Sequence, residues 1–272
     1  MTAFSEITDK ERYFMQPCVY GEHRSICVLS KNGVTSILAF DKDKHKVKLD
    51  KHVKKELLRL YEDSKFKGYD IVLLGDETTT KDNIPILVLD DILLKNEYER
   101  MMPSKKYATR YENLVLRFLN NKTSRIRIVA SYQFNESNLD VFINQFVKTN
   151  TIDKITYHKN VPLDYCDDEI ISESIWETEE GKIVGYDVGT GSKKEFDEQQ
   201  NLTSETPYDY LKSLKIVSSD GINVLNIELS NYNENDKINM LYSVNDYMQK
   251  KCIIKKYSIL DKTGYLFDRV IS

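Results

Sequence analysis

The sequence predicts an α+β fold in two parts: antiparallel strands and helices over residues 1–215, then a small β-barrel over residues 216–272. In the first part, apolar strand-like segments alternate with segments of helical periodicity. The second part contains short β-rich segments separated by turn residues, a pattern typical of small barrels or sandwiches. Neither an internal repeat nor a low-complexity tract is present.

The individual elements follow from local patterns. The β-rich segments 24–30 and 34–40 flank Lys31-Asn32-Gly33, and an Asn-Gly pair between such segments predicts a hairpin. Near-helical spacing of apolar residues predicts a helix over 51–65. Further strands are predicted at 69–74, 85–94, 126–132, 208–217, 222–229, 253–259 and 265–271. Further helices are predicted at 107–119 and 139–148, the latter capped by Ser137.

The charge of the 272-residue chain is unevenly distributed. Lys and Arg total 39 against 43 Asp and Glu, and this net charge of −4 argues against coating of nucleic acid by bulk charge. Residues 1–130 carry 24 basic and 19 acidic side chains, whereas residues 131–200 carry 6 and 15. We therefore interpret residues 167–200 as an acidic insertion beside a mildly basic first half.

The cysteines and the N-terminus indicate the compartment. The four cysteines, at positions 18, 27, 166 and 252, lack C-x-x-C spacing, and the four histidines form no metal-binding pair, so we predict no metal site. Reduced thiols, the lack of an apolar N-terminal segment and the lack of a membrane-spanning stretch predict a cytoplasmic protein that does not interact with membranes. Richness in Lys, Asn, Ile and Tyr hints at a phage or virus, which would place the protein in the host cytoplasm.

One glycine-containing motif allows two interpretations. The sequence DVGTG at 187–191 follows the apolar pair Ile183-Val184 and is similar to the phosphate loop of actin-like ATPases. The alternative is a glycine-containing turn, which we favour because the motif lies in the middle of the chain within a polar stretch.

Six segments occur in an order that resembles compact ATP-dependent DNA ligases, whose nucleotidyltransferase domain is followed by an OB-fold. The resemblance covers nearly the whole chain. The segments are CVYGEHR at 18–24, LGDE at 74–77, LVLDDIL at 87–93, YATRYENL at 107–114, YLKSLK at 210–215 and IIKKYSILDKTGYLFDR at 253–269.

The first of these segments departs from the family pattern. The family's first motif, K-x-D-G followed by Arg, provides a lysine that attacks the α-phosphate of ATP and carries AMP as a phosphoamide. Either Cys18 or Val19 occupies the lysine position, depending on whether Gly21 or Arg24 anchors the alignment, and Tyr20 stands for the aspartate in the first alignment. In the 87–93 segment, Leu89 stands where the family stacks an aromatic ring on adenine.

Other motif residues are retained. The resemblance implies that Glu77 is the glutamate of the third motif and that Lys212 and Lys215 are the lysines of the fifth. The fourth motif, E-G-x-V, has two candidates: residues 180–184 fit by their letters, and residues 153–157 fit by their position after the 139–148 helix.

These departures predict a ligase-derived, non-catalytic protein that binds nucleic acid or a nucleic-acid-processing protein of replication or transcription. No cofactor is expected. OB barrels often bind single strands through aromatic and basic residues. The candidate nucleic-acid-binding residues are Lys212, Lys215, Lys255, Lys256, Tyr257 and Arg269, with Tyr210 and Tyr265 as neighbouring aromatic residues.

Two other functions remain open at this point. An active polynucleotide ligase with displaced motifs would use ATP and Mg²⁺ and take its nucleophile from a lysine such as Lys31 or Lys212. An acidic inhibitor would instead use residues 167–200 to imitate a phosphate backbone in the basic cleft of a nucleic-acid enzyme.

Overall fold

The computed structural model describes residues 4–95, 106–118, 125–161, 171–197, 199–200, 202–219 and 221–271. The chain divides into two compact units, the first made of residues 1–139 and 155–173 and the second of residues 140–154 and 174–272. The boundary predicted between residues 215 and 216 falls inside a strand of the second unit. Cys166 and residues 167–170 lie outside the described residues.

The first unit contains two sheets and a helix packed on the larger one. The six-stranded sheet has the order β4-β3-β2-β5-β6-β7 and the four-stranded sheet the order β10-β9-β1-β8. Two 3₁₀ turns, Phe4–Glu6 and Lys10–Arg12, precede the first strand. The elements in chain order are β1 (Tyr13–Pro17), β2 (Glu22–Lys31), β3 (Val34–Phe40), β4 (Lys46–Val47), α1 (Lys51–Asp63), β5 (Asp70–Thr79), β6 (Pro85–Lys95), α2 (Tyr107–Asn113), β7 (Ile126–Ile128), β8 (Tyr132–Gln133), α3 (Glu136–Phe142), β9 (Lys154–Lys159) and β10 (Ile171–Ser174). The boundary between the units falls within α3, whose residues from Asp140 onward belong to the second unit.

Local sequence explains the start of the larger sheet. Asn32 and Gly33 adopt φ values of 52° and 75°, which suit the tight turn between β2 and β3 and confirm the predicted hairpin. The Asp50 carboxylate accepts hydrogen bonds from the backbone N–H groups of His52 (2.8 Å) and Val53 (3.2 Å) and caps α1. The buried face of α1 packs on the sheet through Val53, Leu57, Leu60 and Tyr61.

Helices α2 and α3 each end in a π-helical turn, and the N-terminal cap of α3 differs from the prediction. α2 continues as Leu114–Phe118 and α3 as Ile143–Val147. α3 begins before Ser137, and the Asn135 side chain accepts the hydrogen bond from the Asn138 backbone N–H at 2.8 Å. The predicted Ser137 cap was therefore wrong by two residues.

The second unit is built on a five-stranded antiparallel sheet of order β13-β12-β11-β14-β15. Its strands are β11 (Trp176–Phe196), β12 (Leu202–Ser218), β13 (Val224–Glu228), β14 (Lys251–Ile259) and β15 (Lys262–Val270), and its short helices are α4 (Glu234–Tyr242) and α5 (Val244–Tyr247). The predicted barrel is not closed: the described strands form an open sheet with β13 and β15 at its edges. A buried core including Ile183, Leu214 and Ile254 supports the sheet.

The acidic stretch is part of this sheet. Trp176–Phe196 forms its central strand and pairs with both β12 and β14. This described part of residues 167–200 is therefore an integral strand of the second unit. Acidic residues along β11 pair with lysines of β14: Glu180 with Lys251, and Glu177 and Glu179 with Lys256.

Candidate functional site

A cavity of about 180 Å³ lies in the first unit, where the segment after β1 meets the larger sheet. Its walls come from β1, β2, β5, β6 and β9 and from the residues that follow β1 and β7. The lining residues are Gln16, Pro17, Cys18, Val19, His23, Asp76, Val88, Asp90, Val129, Thr156 and His158.

The segment predicted as the altered first motif forms one wall. Cys18 and Val19 line the cavity, whereas Tyr20 is exposed. A Cβ at Gly21 would lie 2.7 Å from the Glu77 carbonyl oxygen, so only glycine allows the chain to pass this close to β5. The two positions at which the resemblance expects the nucleophile thus both lie at the cavity.

Arg24 and Glu77 are engaged with each other beside the cavity. The buried Arg24 donates from Nε to Glu77 Oε2 at 3.0 Å and also pairs with Glu22. The other oxygen of Glu77, Oε1, accepts a hydrogen bond from the Asp50 backbone N–H at 3.1 Å. Glu77 therefore links β2, β5 and the start of α1, and it does not line the cavity.

A β-bulge sets the position of the cavity carboxylate. In the pairing of β5 with β6, Leu74 faces Asp91 and Gly75 faces Leu89, which leaves Asp90 as the extra residue. A Cβ at Gly75 would lie 2.3 Å from the Val88 carbonyl oxygen, so the bulge requires glycine opposite it. The bulge places Asp90 at the cavity, while Leu89 lies in the hydrophobic core.

Asp90 and Asp91 have different surroundings. Asp91 is buried and held by Arg110, whose Nε lies 3.0 Å from Oδ1 and whose Nη2 lies 2.8 Å from Oδ2. Oδ1 of Asp90 is buried and accepts no hydrogen bond from a described residue. Burial, together with the charges of Asp91 and Asp76, raises the pKa of Asp90 to about 7.

Two imidazoles also line the cavity, those of His23 and His158. His23 Nδ1 lies 3.7 Å from Asp76 Oδ1, and this carboxylate raises the pKa of His23. Burial and the Arg110 charge lower the pKa of His158 to about 4. The His158 ring stacks on Tyr107 at a centroid distance of 4.8 Å, and the Tyr107 hydroxyl accepts a hydrogen bond from Gln16 Nε2 at 2.5 Å. The cavity therefore contains a titrating carboxyl group next to a neutral imidazole.

The structure separates the two candidates for the fourth motif. Residues 153–157 lead into β9, which pairs with β1 and places Thr156 and His158 at the cavity. Glu180 and Gly181 lie on β11 in the second unit, where Glu180 pairs with Lys251. The positional candidate is therefore the one at the cavity, and β9 has neither a glutamate nor a glycine.

The predicted lysines of the fifth motif also lie in the second unit. Lys212 is exposed. Lys215 Nζ lies 2.7 Å from Asp187 Oδ1, and the Ser213 hydroxyl donates a hydrogen bond to the other oxygen of this carboxylate, Asp187 Oδ2, at 3.0 Å. The strand that follows β9 in the first unit, β10, has the sequence ISES and contains no lysine. The lysines and Cys18 thus belong to different compact units.

The other candidate nucleic-acid-binding residues lie on β14 and β15, and most are engaged. Lys255 lies 3.9 Å from Asp268 and 5.6 Å from the centroid of the Trp176 ring, and Arg269 lies 2.8 Å from the same Asp268. Tyr257 is buried, with its ring over Gly264. Lys256 pairs with the acidic residues of β11, and Tyr265 is half-buried against the core.

The DVGTG motif is neither a phosphate loop nor a turn. Asp187–Gly191 continues β11, with Gly189 opposite Tyr210 and Gly191 opposite Tyr208. A Cβ at either glycine would lie 2.6 Å from the tyrosine ring opposite, so the glycines make room for cross-strand aromatic residues.

Sequence reasoning missed Asp76, Asp90, Thr156 and His158 as cavity residues. Two consecutive aspartates inside an apolar strand were a usable signal, because a buried strand accepts carboxylates only with partners or a function.

Among the described residues, one group could hold a metal ion: Asp41, Asp43 and His45 in an exposed turn. Asp41 Oδ1 there accepts hydrogen bonds from the backbone N–H groups of Asp43 and His45.

Among the described residues, no helix is long and apolar enough to cross a membrane.

No protein-family model and no curated protein match the sequence. Solved structures do match. The DNA ligase-adenylate of Chlorella virus is 11% identical, with a TM-score of 0.57 over 100% of this chain and 95% of that chain. The ATP-dependent DNA ligase of bacteriophage T7 is 11% identical, with a TM-score of 0.49 over 97% and 93%. The likeness to the Chlorella virus enzyme shows that this chain has the fold of a compact DNA ligase, which confirms the resemblance found in its sequence.

Proposed function

We propose that this chain is a ligase-derived protein that has lost covalent adenylation and binds nucleic acid or a nucleic-acid-processing protein. The observation that carries the proposal is the composition of the cavity beside Cys18 and Val19. Its described lining residues include two carboxylic acids, two imidazoles and a thiol, and none is a lysine.

Covalent adenylation requires an amine that can attack the α-phosphate and retain AMP as a phosphoamide. Lys31 cannot supply it, because it is eight residues along β2 from His23, a distance of about 26 Å at the rise of a β-strand. Lys212 is not among the described residues that line the cavity. These placements favour the non-catalytic interpretation over an active ligase with displaced motifs.

The electrostatics and size of the cavity also oppose a nucleoside triphosphate. Asp76 and Asp90 present carboxyl groups where an anionic ligand would need cations, and like charges in a partly buried site repel strongly. A volume of about 180 Å³ is also smaller than the roughly 300–1,000 Å³ of pockets that hold drug-sized ligands. We therefore expect neither ATP nor Mg²⁺ as a cofactor.

The proposed binding part is the second unit, which we interpret as OB-like. Its order of elements is three strands, a helical segment and two strands. The two edge strands of its sheet, β13 and β15, approach each other. The Tyr232 hydroxyl donates to the Asp268 carbonyl oxygen at 2.9 Å, and Asn231 Nδ2 donates to that of Phe267 at 3.3 Å. OB-folds bind oligonucleotides through one sheet face and the adjoining loops.

The ion pairs of the second unit restrict how it could bind nucleic acid. Lys215, Lys255, Lys256 and Arg269 face carboxylates, which a phosphate would have to displace. Lys212 is exposed and thus the most available of the predicted cations. We expect weak, salt-dependent binding, since each phosphate contact releases a counterion.

The acidic-inhibitor alternative gains no support from the structure. The described part of the acidic stretch is the central strand of a sheet, and several of its carboxylates pair with lysines. A decoy of a phosphate backbone needs exposed, unpaired negative charge.

Incubation with ATP labelled at the α-phosphate and Mg²⁺ tests the loss of catalysis. We expect no labelled protein under conditions in which an active ligase, run in parallel, becomes labelled. A covalent adduct that disappears on substitution of a single lysine would contradict the proposal.

A second experiment measures binding to a nicked duplex and to a single strand across a salt series. We expect affinity to fall as salt rises and Lys212→Ala to weaken binding, whereas the exposed Lys42→Ala of the first unit serves as a matched control. Absence of affinity at low salt would remove nucleic acid as the partner and leave a protein partner.

A further inference from the structure

The cavity of the first unit combines apolar walls with one charged side. Pro17, Val19, Val88 and Val129 form the apolar walls, and Asp76 and Asp90 add carboxyl groups. An engineered apolar cavity of about 150 Å³ accommodates benzene. A cavity of about 180 Å³ is therefore large enough for one six-membered ring with a small substituent.

Asp90 lacks the partners that its neighbour has. Asp91 is satisfied by Arg110 and by the Ile92 backbone N–H at 2.8 Å, whereas Oδ1 of Asp90 is buried and accepts no hydrogen bond from a described residue. A buried carboxylate oxygen without a donor is costly, and native proteins retain such groups where a ligand or a reaction uses them. Asp90 as a whole is half-buried and lines the cavity, so its carboxyl group offers an acceptor to an N–H donor there, preferably one with a positive charge.

We propose that this cavity binds a small monocyclic cation, an aromatic amidinium or a ring bearing a protonated amine. The ring would lie against Val19, Val88 and Val129, and its N–H groups would donate to the Asp90 carboxylate. The Asp76 carboxylate adds a second negative charge on the same side. The inference goes beyond the proposed function, because it assigns a ligand class to a site that no longer suits a nucleotide.

The surrounding charges are compatible with this ligand at slightly basic pH. The charges of Asp91 on the same strand, Asp76 on β5 and His23 on β2 act on Asp90, and Tyr107 on α2 interacts with it electrostatically. The other titratable residues that line the cavity are Cys18 and His158. With the pKa of Asp90 at about 7 and that of His158 at about 4, a solution at pH 8 leaves Asp90 ionised and His158 neutral.

Benzamidine is the probe, titrated into the full chain by calorimetry at pH 8. We expect measurable binding, with neutral benzamide binding at least tenfold more weakly and benzoate not binding. Asp90→Asn removes the charge with little change in volume and should weaken benzamidine binding at least tenfold. Val88→Phe should fill the cavity and abolish binding, which keeps the proposal testable if Asp90→Asn fails to fold.

Alkylation by iodoacetamide locates the bound probe. Benzamidine should slow the alkylation of Cys18, which lines the cavity, and leave Cys27, which does not, unchanged as an internal reference. Lack of binding, equal binding to wild type and Asp90→Asn, or unchanged alkylation of Cys18 would each overturn the proposal. A covalent ATP adduct would instead overturn the proposed function, so the two failures are distinguishable.

Discussion

The two units differ in whether their charged side chains have partners. On the sheet of the second unit, basic side chains are matched across strands: Lys215 with Asp187, Lys251 with Glu180 and Lys255 with Asp268. In the cavity of the first unit, Asp90 keeps a buried oxygen without a hydrogen bond from a described residue. Carboxylates paired with cations are common in folded proteins, whereas a buried carboxyl oxygen without a donor indicates a ligand or a function.

Breaking one ion pair in each unit gives the largest expected contrast. Arg110→Ala leaves Asp91 buried without its cation and should cost about 3–5 kcal/mol of unfolding free energy. Lys215→Ala breaks a half-exposed pair and should cost at most about 1 kcal/mol. Native-state hydrogen exchange follows both units and measures the two losses. Equal losses would contradict the distinction between a buried and an exposed pair.

The pH dependence of the free energy of unfolding reports on the ionisation of Asp90 and His158 at the cavity. The raised pKa of Asp90 adds stability that is lost as pH rises from about 4 to about 7. The lowered pKa of His158 adds stability that is present above pH 6.5 and lost as pH falls toward about 4. Between about pH 4 and pH 6.5 the two effects change the free energy of unfolding in opposite directions. Because one pKa unit corresponds to 1.36 kcal/mol, each effect is at most about 4 kcal/mol.

Asp90→Asn removes one of these effects. The variant should become more stable as pH rises from 4 to 6.5, whereas the wild type should change less across that range. Urea unfolding at several pH values measures this slope. Asp187→Asn, on the sheet of the second unit, is the control and should leave the slope in this window nearly unchanged. Parallel profiles for wild type and Asp90→Asn would show that Asp90 does not titrate as described.

The smallest expected effect concerns the aromatic residues of the second unit. Gly189→Ala places a Cβ against the Tyr210 ring, whose far end can shift, so we expect a loss of about 1 kcal/mol. The same change combined with Tyr210→Ala should cost less than the sum of the single changes, because the clash is removed. A double-mutant cycle by urea unfolding measures the coupling, and strict additivity would contradict the packing of ring over glycine.

Local patterns predicted the elements of the first unit well. The hairpin at Asn32-Gly33 and the helix capped by Asp50 depend on turn conformations and spacing that neighbouring residues determine. The interpretation of the DVGTG motif was wrong because its glycines leave space for the rings of Tyr208 and Tyr210, which lie opposite them on the neighbouring strand β12. A short motif does not specify which distant strand will pair with it.

The candidate site was predictable only in part. The resemblance singled out Cys18, Val19 and Leu89. Cys18 and Val19 line the cavity, whereas Leu89 lies in the core and its neighbours Val88 and Asp90 line the cavity. One bulged residue caused this difference, since it shifts which side chains of β6 face the cavity. Sequence alternation gave no sign of the bulge.

The sequence by itself determined that no lysine lies between Lys10 and Lys31, so the segment that resembles the first motif lacks a lysine in either alignment. It also determined the hairpin and the main helices, because short-range sterics and periodicity control them. Only the tertiary structure decided that the described part of the acidic stretch is a central strand, that Lys212 and Lys215 lie outside the cavity unit, and that Oδ1 of Asp90 is buried without a hydrogen bond from a described residue. These features depend on pairing between strands far apart in the chain, and burial and electrostatic environment follow from that pairing.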